Sequence, residues 1–166
     1  MTSRVRSPAA ADVAVEVLDR QRLLRLDRRW LERIVRRAAA RLRSPAGELC
    51  VLVVDDRRIA KLHEQWLGVA GPTDVITFDL AEDGPGGGLH GDIVVSAETA
   101  RRTARELGWA PRHELAYYVI HGLLHLAGYD DHTVADRQTM RARERSLMAA
   151  VGLPRPPRPR PRRKQP

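Results

Sequence analysis

Two histidines four residues apart, His121 and His125, lie in the most apolar helical pattern of the chain, residues 112–126. Four residues make a little over one helical turn, so the two imidazoles share one face of the predicted helix, about 6 Å apart along its axis. Neutral imidazoles at this spacing can chelate one zinc ion. Gly128 predicts the end of the helix and allows the chain to turn back, so further ligands are expected from the turn.

The turn supplies candidate ligands in Asp130, Asp131 and His132. A single helical histidine is usually a core residue satisfied by hydrogen bonds, but three of the six histidines of this chain fall within residues 121–132. Catalytic zinc sites keep a position open for water by using three protein ligands, whereas structural sites are closed and usually contain several cysteines. Because the one cysteine, Cys50, is far away in sequence, we predict an open metal site.

The residue after the first histidine, Gly122, indicates which hydrolase chemistry to expect. Zinc metalloproteases with a helical His-x-x-x-His pattern carry a glutamate there, and it acts as the general base. Glycine at this position therefore disfavours peptidase chemistry. The nearest carboxylate that could take the catalytic proton is Asp130; the alternative for Asp130 is to accept a hydrogen bond from a ligand imidazole.

The hydropathy pattern predicts an α+β fold with the element order β-α-β-α-β-β-α-α-α. Two strands that follow each other directly favour a mixed sheet of about four strands packed with helices, with the zinc site at the end of the central apolar helix. The predicted strands are residues 13–17, 48–54, 73–80 and 91–96, and the predicted helices are residues 28–42, 55–66, 97–107, 112–126 and 134–151. The apolar side of the predicted helix 55–66 consists of Ile59, Leu62 and Trp66.

The charge distribution separates a folded domain from a tail. The formal net charge is +8, and residues 154–166 contain six basic residues and no acid, so the rest of the chain is only weakly basic. We predict a flexible N-terminus at 1–12, a single metal-hydrolase domain at 13–152 and a disordered Pro/Arg-rich basic tail at 153–166. This tail is either a solubility segment or an electrostatic arm for phosphate backbones.

The cellular compartment is predicted from what the sequence lacks. It contains no apolar run long enough to span a bilayer, and residues 1–12 lack the apolar core of a signal peptide. Cys50 lies in the apolar run 48–54, which favours a buried thiol. These features predict a cytoplasmic protein with no membrane partner and no covalent partner.

Three motifs together resemble one known family. His121 to Asp131 closely resembles the His-Gly-x-Leu-His-Leu-x-Gly-Tyr-Asp-His signature of the YbeY family of bacterial ribosome-maturation endoribonucleases. Residues 68–78 resemble the family's Pro-Thr-Asp-Val-Leu-Ser-Phe segment, and residues 91–96 resemble its Gly-Asp-Ile strand. The motifs occur in the family's order, so the resemblance covers residues 13–151.

The resemblance implies an α+β fold and a cofactor of one zinc ion per chain, held by three residues. It implies a single-strand-specific endoribonuclease that acts in maturation of small-subunit (16S) ribosomal RNA and in ribosome quality control. Ribosomal RNA and the small ribosomal subunit would be its partners, and zinc would act as Lewis acid and water activator. The alternative is a ribosome-associated biogenesis factor with a mainly structural zinc and little nuclease activity.

The third zinc ligand is a point at which this chain departs from the family. The family's third histidine falls at the position of Asp131, and His132 follows one residue later. The downstream spacing to Met140 and Glu144 resembles the family without an insertion, which favours Asp131. Imidazole chemistry favours His132, although a carboxylate oxygen is also a competent zinc ligand. Both alternatives stay open.

A second departure concerns phosphate binding. Leu67 stands where the family typically has an arginine before the loop glycine. Arg57 and Lys61, together with Arg58, are the candidates for binding substrate phosphates in its place. The alternative is that these residues are ordinary solvated charges on a helix.

Overall fold

The structure, a computed structural model, describes residues 12–42, 46–82 and 88–157. In this part of the chain, strands and helices follow in the predicted order, and their bounds differ from the predicted ones by at most a few residues. The elements are β1 (Val13–Asp19), α1 (Arg28–Arg41), β2 (Gly47–Val54), α2 (Asp56–Leu67), β3 (Val75–Asp79), β4 (His90–Ser96), α3 (Ala97–Leu107), α4 (Pro111–Leu126) and α5 (Val134–Ala150).

The strands form one mixed sheet in the order β1-β2-β4-β3. Strand β2 pairs in parallel with both β1 and β4, and α1 is the crossover that joins the parallel strands β1 and β2. Strand β3 lies at the edge and pairs antiparallel with β4, its successor in the chain. The predicted α+β class with a four-stranded mixed sheet is confirmed.

The two faces of the sheet are covered unequally. Alternate strand residues such as Val51 and Ile93 belong to one core with buried residues of α1, α4 and α5. The residues between them point to the opposite face, where Val94 forms a smaller cluster with Ile59 of α2. One face therefore carries several helices and the other carries mainly α2.

Two side chains on the α2 face are more exposed than the sequence predicts. Cys50, predicted to be buried, is half-buried, because α2 covers only part of this face. Trp66, predicted on the apolar side of α2, packs edge-on against Phe78 but is 61% exposed. Partial burial, and then nearby carboxylates, raise the pKa of Cys50, so the thiol stays protonated at neutral pH.

Helix α4 is the central helix, and it lies unusually close to the sheet. It begins at Pro111, a residue that suits the first helical position because its missing N–H would have no helical partner there. A Cβ placed on Gly122 would lie 2.8 Å from Cγ2 of Ile93 and 2.9 Å from Cγ2 of Thr77. Glycine at 122 thus allows the close approach, and the face of the helix that carries this residue points at the sheet.

Two predicted segments lie largely outside the described residues. Of the predicted N-terminus only residue 12 is described, and of the predicted tail residues 158–166 are outside. Residues 153–157 contain no helix or strand, and Pro156 and Pro157 are partly buried. Among the described helices, none has the length and apolar character needed to cross a membrane.

Candidate metal site at the end of helix α4

Three side chains direct potential metal-ligand atoms at one point beside the last turn of α4. The Nε2 atoms of His121 and His125 are 3.0 Å apart, as the four-residue spacing predicts. Oδ2 of Asp131 lies 3.7 Å from Nε2 of His121 and 3.8 Å from Nε2 of His125. Ligand atoms at zinc distances of about 2.0–2.2 Å in tetrahedral geometry lie about 3.3–3.6 Å apart, so the three separations bracket the expected value.

The turn after α4 is what brings Asp131 back to the histidines. Gly128 adopts the left-handed conformation with φ of 91°, and the Tyr129 amide donates to the Leu124 carbonyl at 3.0 Å. The Asp131 amide donates to Oδ1 of Asp130 at 2.7 Å.

The first residues of α5 hold the far side of the same turn. Nη1 of Arg137 donates to the carbonyls of Asp131 at 3.2 Å and His132 at 2.8 Å. Thr133 caps α5 in a capping box with Asp136. The backbone of Asp131 is therefore held by hydrogen bonds on both sides.

His132 and Asp130 pair with each other instead of joining the two helical histidines. Nε2 of His132 lies 3.2 Å from Oδ1 of Asp130, and their side chains are 83% and 51% exposed. Ligand atoms of Asp130, Asp131 and His132 also lie within 4.8 Å of one another, so Asp131 is shared by two groups with metal-ligand chemistry. The group that contains both helical histidines includes Asp131 and not His132.

Sequence reasoning missed the function of Glu144, a buried carboxylate on α5. Its Oε1 lies 2.6 Å from Nδ1 of His121, and its Oε2 accepts a hydrogen bond from the Tyr117 hydroxyl at 2.6 Å. An ionised carboxylate can only accept, so Nδ1 of His121 carries the proton and Nε2 presents its lone pair to the site. The sequence offered one signal for this burial: Glu144 is an acid four residues after the apolar Met140, in a segment rich in arginine, so it lies on the apolar face of the predicted helix.

The electrostatic setting of His121 favours a positive charge. Burial opposes the imidazolium, but the hydrogen bond and charge of Glu144, with Asp74 and Asp131, outweigh burial and raise the pKa of His121. The same carboxylate, after burial, raises the pKa of Tyr117, so its hydroxyl remains a donor. A site that attracts a proton in this way also attracts a metal cation, which competes with the proton for Nε2.

The sequence-predicted phosphate contacts lie elsewhere. Arg57, Arg58 and Lys61 are on α2, over the opposite face of the sheet from α4, where they line a small cavity of about 170 Å³ with Arg20. The structure does not bring them together with the histidines. Leu67, at the end of α2, is 58% exposed.

Comparison with known proteins gives the family. A family model described as Endoribonuclease YbeY matches residues 13–152. The chain belongs to the YbeY endoribonuclease family. Among its relatives, the protein named Endoribonuclease YbeY from Moorella thermoacetica is 42% identical over 132 residues, which is 73% of this chain and 85% of the relative. The protein of that name from Chloroflexus aggregans is 38% identical over 143 residues, 80% of this chain and 92% of the relative.

A solved structure agrees with the fold. The solution structure of TM1509 from Thermotoga maritima has 27% sequence identity and a TM-score of 0.59, over 82% of this chain and 88% of the other. The expected membership of the YbeY family and the expected fold are thus confirmed. As a member of an endoribonuclease family, the chain belongs among the hydrolases that act on RNA.

Glu144 provides the first test of the site. Replacing Glu144 with alanine is expected to weaken zinc binding by about 10–100-fold, because removal of an outer hydrogen-bond partner costs that much at other zinc sites. Glu144→Gln should recover part of the loss, since its amide oxygen can still accept from Nδ1 of His121. The measurement is competition for zinc against a chromophoric chelator at fixed pH.

The matched control is Tyr117→Phe, which removes the other hydrogen bond of the same carboxylate and leaves the contact with His121 in place. Its zinc affinity should change only a few-fold, while thermal melting reports any loss of stability. Equal zinc affinity in the Glu144→Ala variant and the unmodified chain would show that Glu144 does not orient His121.

Proposed function

We propose that this chain is a zinc-dependent, single-strand-specific endoribonuclease with one zinc ion held by His121, His125 and Asp131. The observation that carries the proposal is the convergence of three ligand atoms, within 4.8 Å of one another, inside the range that the YbeY family model matches. We further propose maturation of small-subunit ribosomal RNA and ribosome quality control as its role. Ribosomal RNA and the small subunit would be its partners, and the cytoplasm its compartment.

The donor set suits a bound cation. Two imidazoles and one carboxylate are the ligand types that zinc takes in catalytic sites. With Nδ1 of His121 donating to Glu144, Nε2 of this ring is a bare acceptor that faces the Asp131 carboxylate at 3.7 Å. Lone pairs that face each other repel unless a cation or a proton lies between them. A zinc ion bound there would supply a Lewis acid and activate water for phosphodiester hydrolysis.

The surroundings of the site favour catalysis over a structural role. The side chains of His121, His125 and Asp131 are 23%, 27% and 40% exposed, so an RNA strand can reach them from solvent. Glu144 and the turn hold the ligands in position. Asp130, 51% exposed beside the site, is the candidate to take up the proton of the attacking water. Nε2 of His132 lies 3.2 Å from its Oδ1 and can form a hydrogen bond with this carboxylate.

Paired variants of the turn test the proposal and identify the third ligand. Asp131→Asn is expected to lower zinc affinity by more than about 100-fold, since even an outer partner is worth 10–100-fold, and to abolish cleavage of single-stranded ribosomal RNA fragments. His132→Ala, the adjacent control, should keep stoichiometric zinc. The measurements are zinc content after gel filtration and gel-resolved RNA cleavage.

Two outcomes would contradict this assignment. Loss of zinc in His132→Ala with retention in Asp131→Asn would make the imidazole the third ligand. If the zinc-loaded unmodified chain cleaves single-stranded RNA no better than the Asp131→Asn variant does, the result would argue against a nuclease. It would favour a biogenesis factor with a structural zinc.

A further inference from the structure

A large open cavity lies directly behind the metal-site histidines. It has a volume of about 980 Å³ and is enclosed by α3, α4, α5, residues 72–74 and residues 155–157. Glu144 and Tyr117 form part of its wall, and the same Glu144 accepts from Nδ1 of His121. The cavity and the metal site are thus separated by a single side chain.

The cavity carries unpaired positive charge. Arg141, Arg145 and Arg155 line it, and none of them forms an ion pair with a carboxylate among the residues that the structure describes. A fourth arginine in the lining, Arg102, is held by Asp56 at 3.0 Å. Three guanidinium groups are therefore available for an anion.

The carboxylates in the wall are already engaged. Glu144 accepts from Tyr117 and lies against His121, and Glu114 accepts from Nε1 of Trp109 at 2.6 Å. Burial raises the pKa of Glu114, and its hydrogen bonds with Tyr118 and Trp109 act in the opposite direction. Oδ1 of Asp74 accepts from the Val75 amide at 2.8 Å. Among the described residues, none of these three carboxylates forms an ion pair with Arg141, Arg145 or Arg155.

The arginines form a row that starts at the metal site. Arg137, Arg141 and Arg145 are four residues apart on α5, so their Cα atoms are about 6 Å apart along the helix axis and near one helical face. Arg137 already donates to the carbonyls of Asp131 and His132. The row therefore leads from the turn that holds Asp131 to Arg141 and Arg145 in the cavity lining.

Aromatic rings complete the wall. Trp109 and Tyr117, both partly buried, line the cavity together with the arginines. Proteins that bind single-stranded nucleic acid combine a basic groove for the backbone with aromatic side chains for the bases. The composition of this cavity matches that chemistry better than it matches a purely apolar or a cationic ligand.

We propose that Arg141, Arg145 and Arg155 bind successive phosphates of the single RNA strand that flanks the cleaved bond. This inference rests on the proposed function for the identity of the ligand. It assigns the phosphate contacts to α5 and residues 155–157, in place of the family arginine that is Leu67 here and of Arg57 and Lys61 on α2.

The test compares two double variants of equal charge and spacing. Arg141→Gln with Arg145→Gln removes two cavity arginines, and Arg33→Gln with Arg37→Gln removes two exposed arginines four residues apart on α1, outside the cavity lining. The probe is a short fluorescein-labelled 2′-O-methyl phosphorothioate strand, which keeps its charge and resists cleavage. Its affinity for the zinc-loaded full chain is measured by fluorescence anisotropy at several salt concentrations.

The cavity variant is expected to bind about tenfold more weakly at low salt. The slope of log affinity against log salt should fall by about 1.4, because each single-strand phosphate contact contributes about 0.7. The α1 variant should change affinity by less than about twofold by the same reasoning. Equal melting temperatures would show that both variants are folded.

The outcomes separate this inference from the proposed function. Three results would overturn the proposed phosphate contacts of the cavity arginines. They are equal losses of probe affinity in the two variants, an unchanged salt slope in the cavity variant, and no binding of the probe by the unmodified chain. If the unmodified chain cleaves single-stranded RNA while the cavity variant binds the probe normally, the proposed function stands and the phosphate contacts fall. If the unmodified chain does not cleave RNA but the cavity variant binds the probe more weakly and with a smaller salt slope, the cavity remains an RNA-binding surface without nuclease activity.

Discussion

Replacing His121 and His125 together with alanine is expected to abolish stoichiometric zinc binding and cleavage of single-stranded RNA. The two Nε2 atoms, 3.0 Å apart, are two of the three converging ligand atoms, and one remaining carboxylate cannot hold zinc at physiological concentrations. Zinc per chain is measured by atomic spectroscopy after gel filtration, and cleavage is followed on a labelled strand. His113→Ala, on the same helix but outside the site, is the control and should keep both properties.

The same variant decides between a catalytic and a structural metal. Neither histidine belongs to the apolar core and both side chains are partly exposed, so we expect the double variant to keep its far-UV circular dichroism spectrum. Loss of the fold together with the metal would support the biogenesis factor with a structural zinc. Unchanged zinc content in the double variant would remove the metal site proposed here.

Gly122→Ala is expected to destabilise the protein by about 2 kcal/mol, which lowers the melting temperature by about 4–8 °C. The added Cβ would lie 2.8 Å from Cγ2 of Ile93 and 2.9 Å from Cγ2 of Thr77, both methyl groups on β-branched carbons with little freedom to move. Alanine is the better helix former by about 1 kcal/mol, and the steric cost is expected to exceed this gain. Thermal and urea unfolding measure the difference.

A second substitution separates a steric clash from other effects. Thr77→Ser removes the Cγ2 methyl that the new Cβ meets, so it should recover part of the stability lost in Gly122→Ala, with a favourable coupling in the double-mutant cycle. Gly128→Ala is the contrasting control, because nothing lies within 4 Å of its Cβ and its cost comes from φ of 91°, about 1–2 kcal/mol. A Gly122→Ala variant as stable as the unmodified chain would show that α4 can shift away from the sheet.

The packing of Gly122 also explains the absence of the metalloprotease glutamate. Position 122 points at Ile93 and Thr77 of the sheet, and a glutamate there would need space that the core does not have. Packing therefore excludes a glutamate general base at this position. The exposed carboxylate of Asp130, in the turn just beyond α4, lies close to Asp131 and outside the core.

Local patterns predicted the elements well because their information is contained in short segments. The helical spacing in α4 and the adjacent strands β3 and β4 led to correct elements and a correct mixed sheet. The burial of Cys50 and Trp66 was predicted less well, because it depends on how much of one sheet face α2 covers. That coverage is a property of packing, which a pattern along the chain does not contain.

The site divides in the same way. Sequence spacing alone placed His121 and His125 on one helical face, because four residues along a helix fix that geometry. Sequence left Asp131 and His132 as equal alternatives for the third ligand. The turn conformation and the hydrogen bonds from Arg137 direct Asp131 toward the histidines and leave His132 with Asp130.

The amino-acid sequence by itself determined the order of the elements, the family motif and the histidine pair, because each depends on residues close together in the chain. Tertiary structure alone placed Glu144, 23 residues after His121, in contact with that ring, and set the arginines of α5 beside Tyr117 and Trp109. It also placed Arg57 and Lys61, on α2, on the opposite face of the sheet from the site. These relations arise when α5 folds back on α4 and α2 covers the opposite face, so only the packed chain contains them.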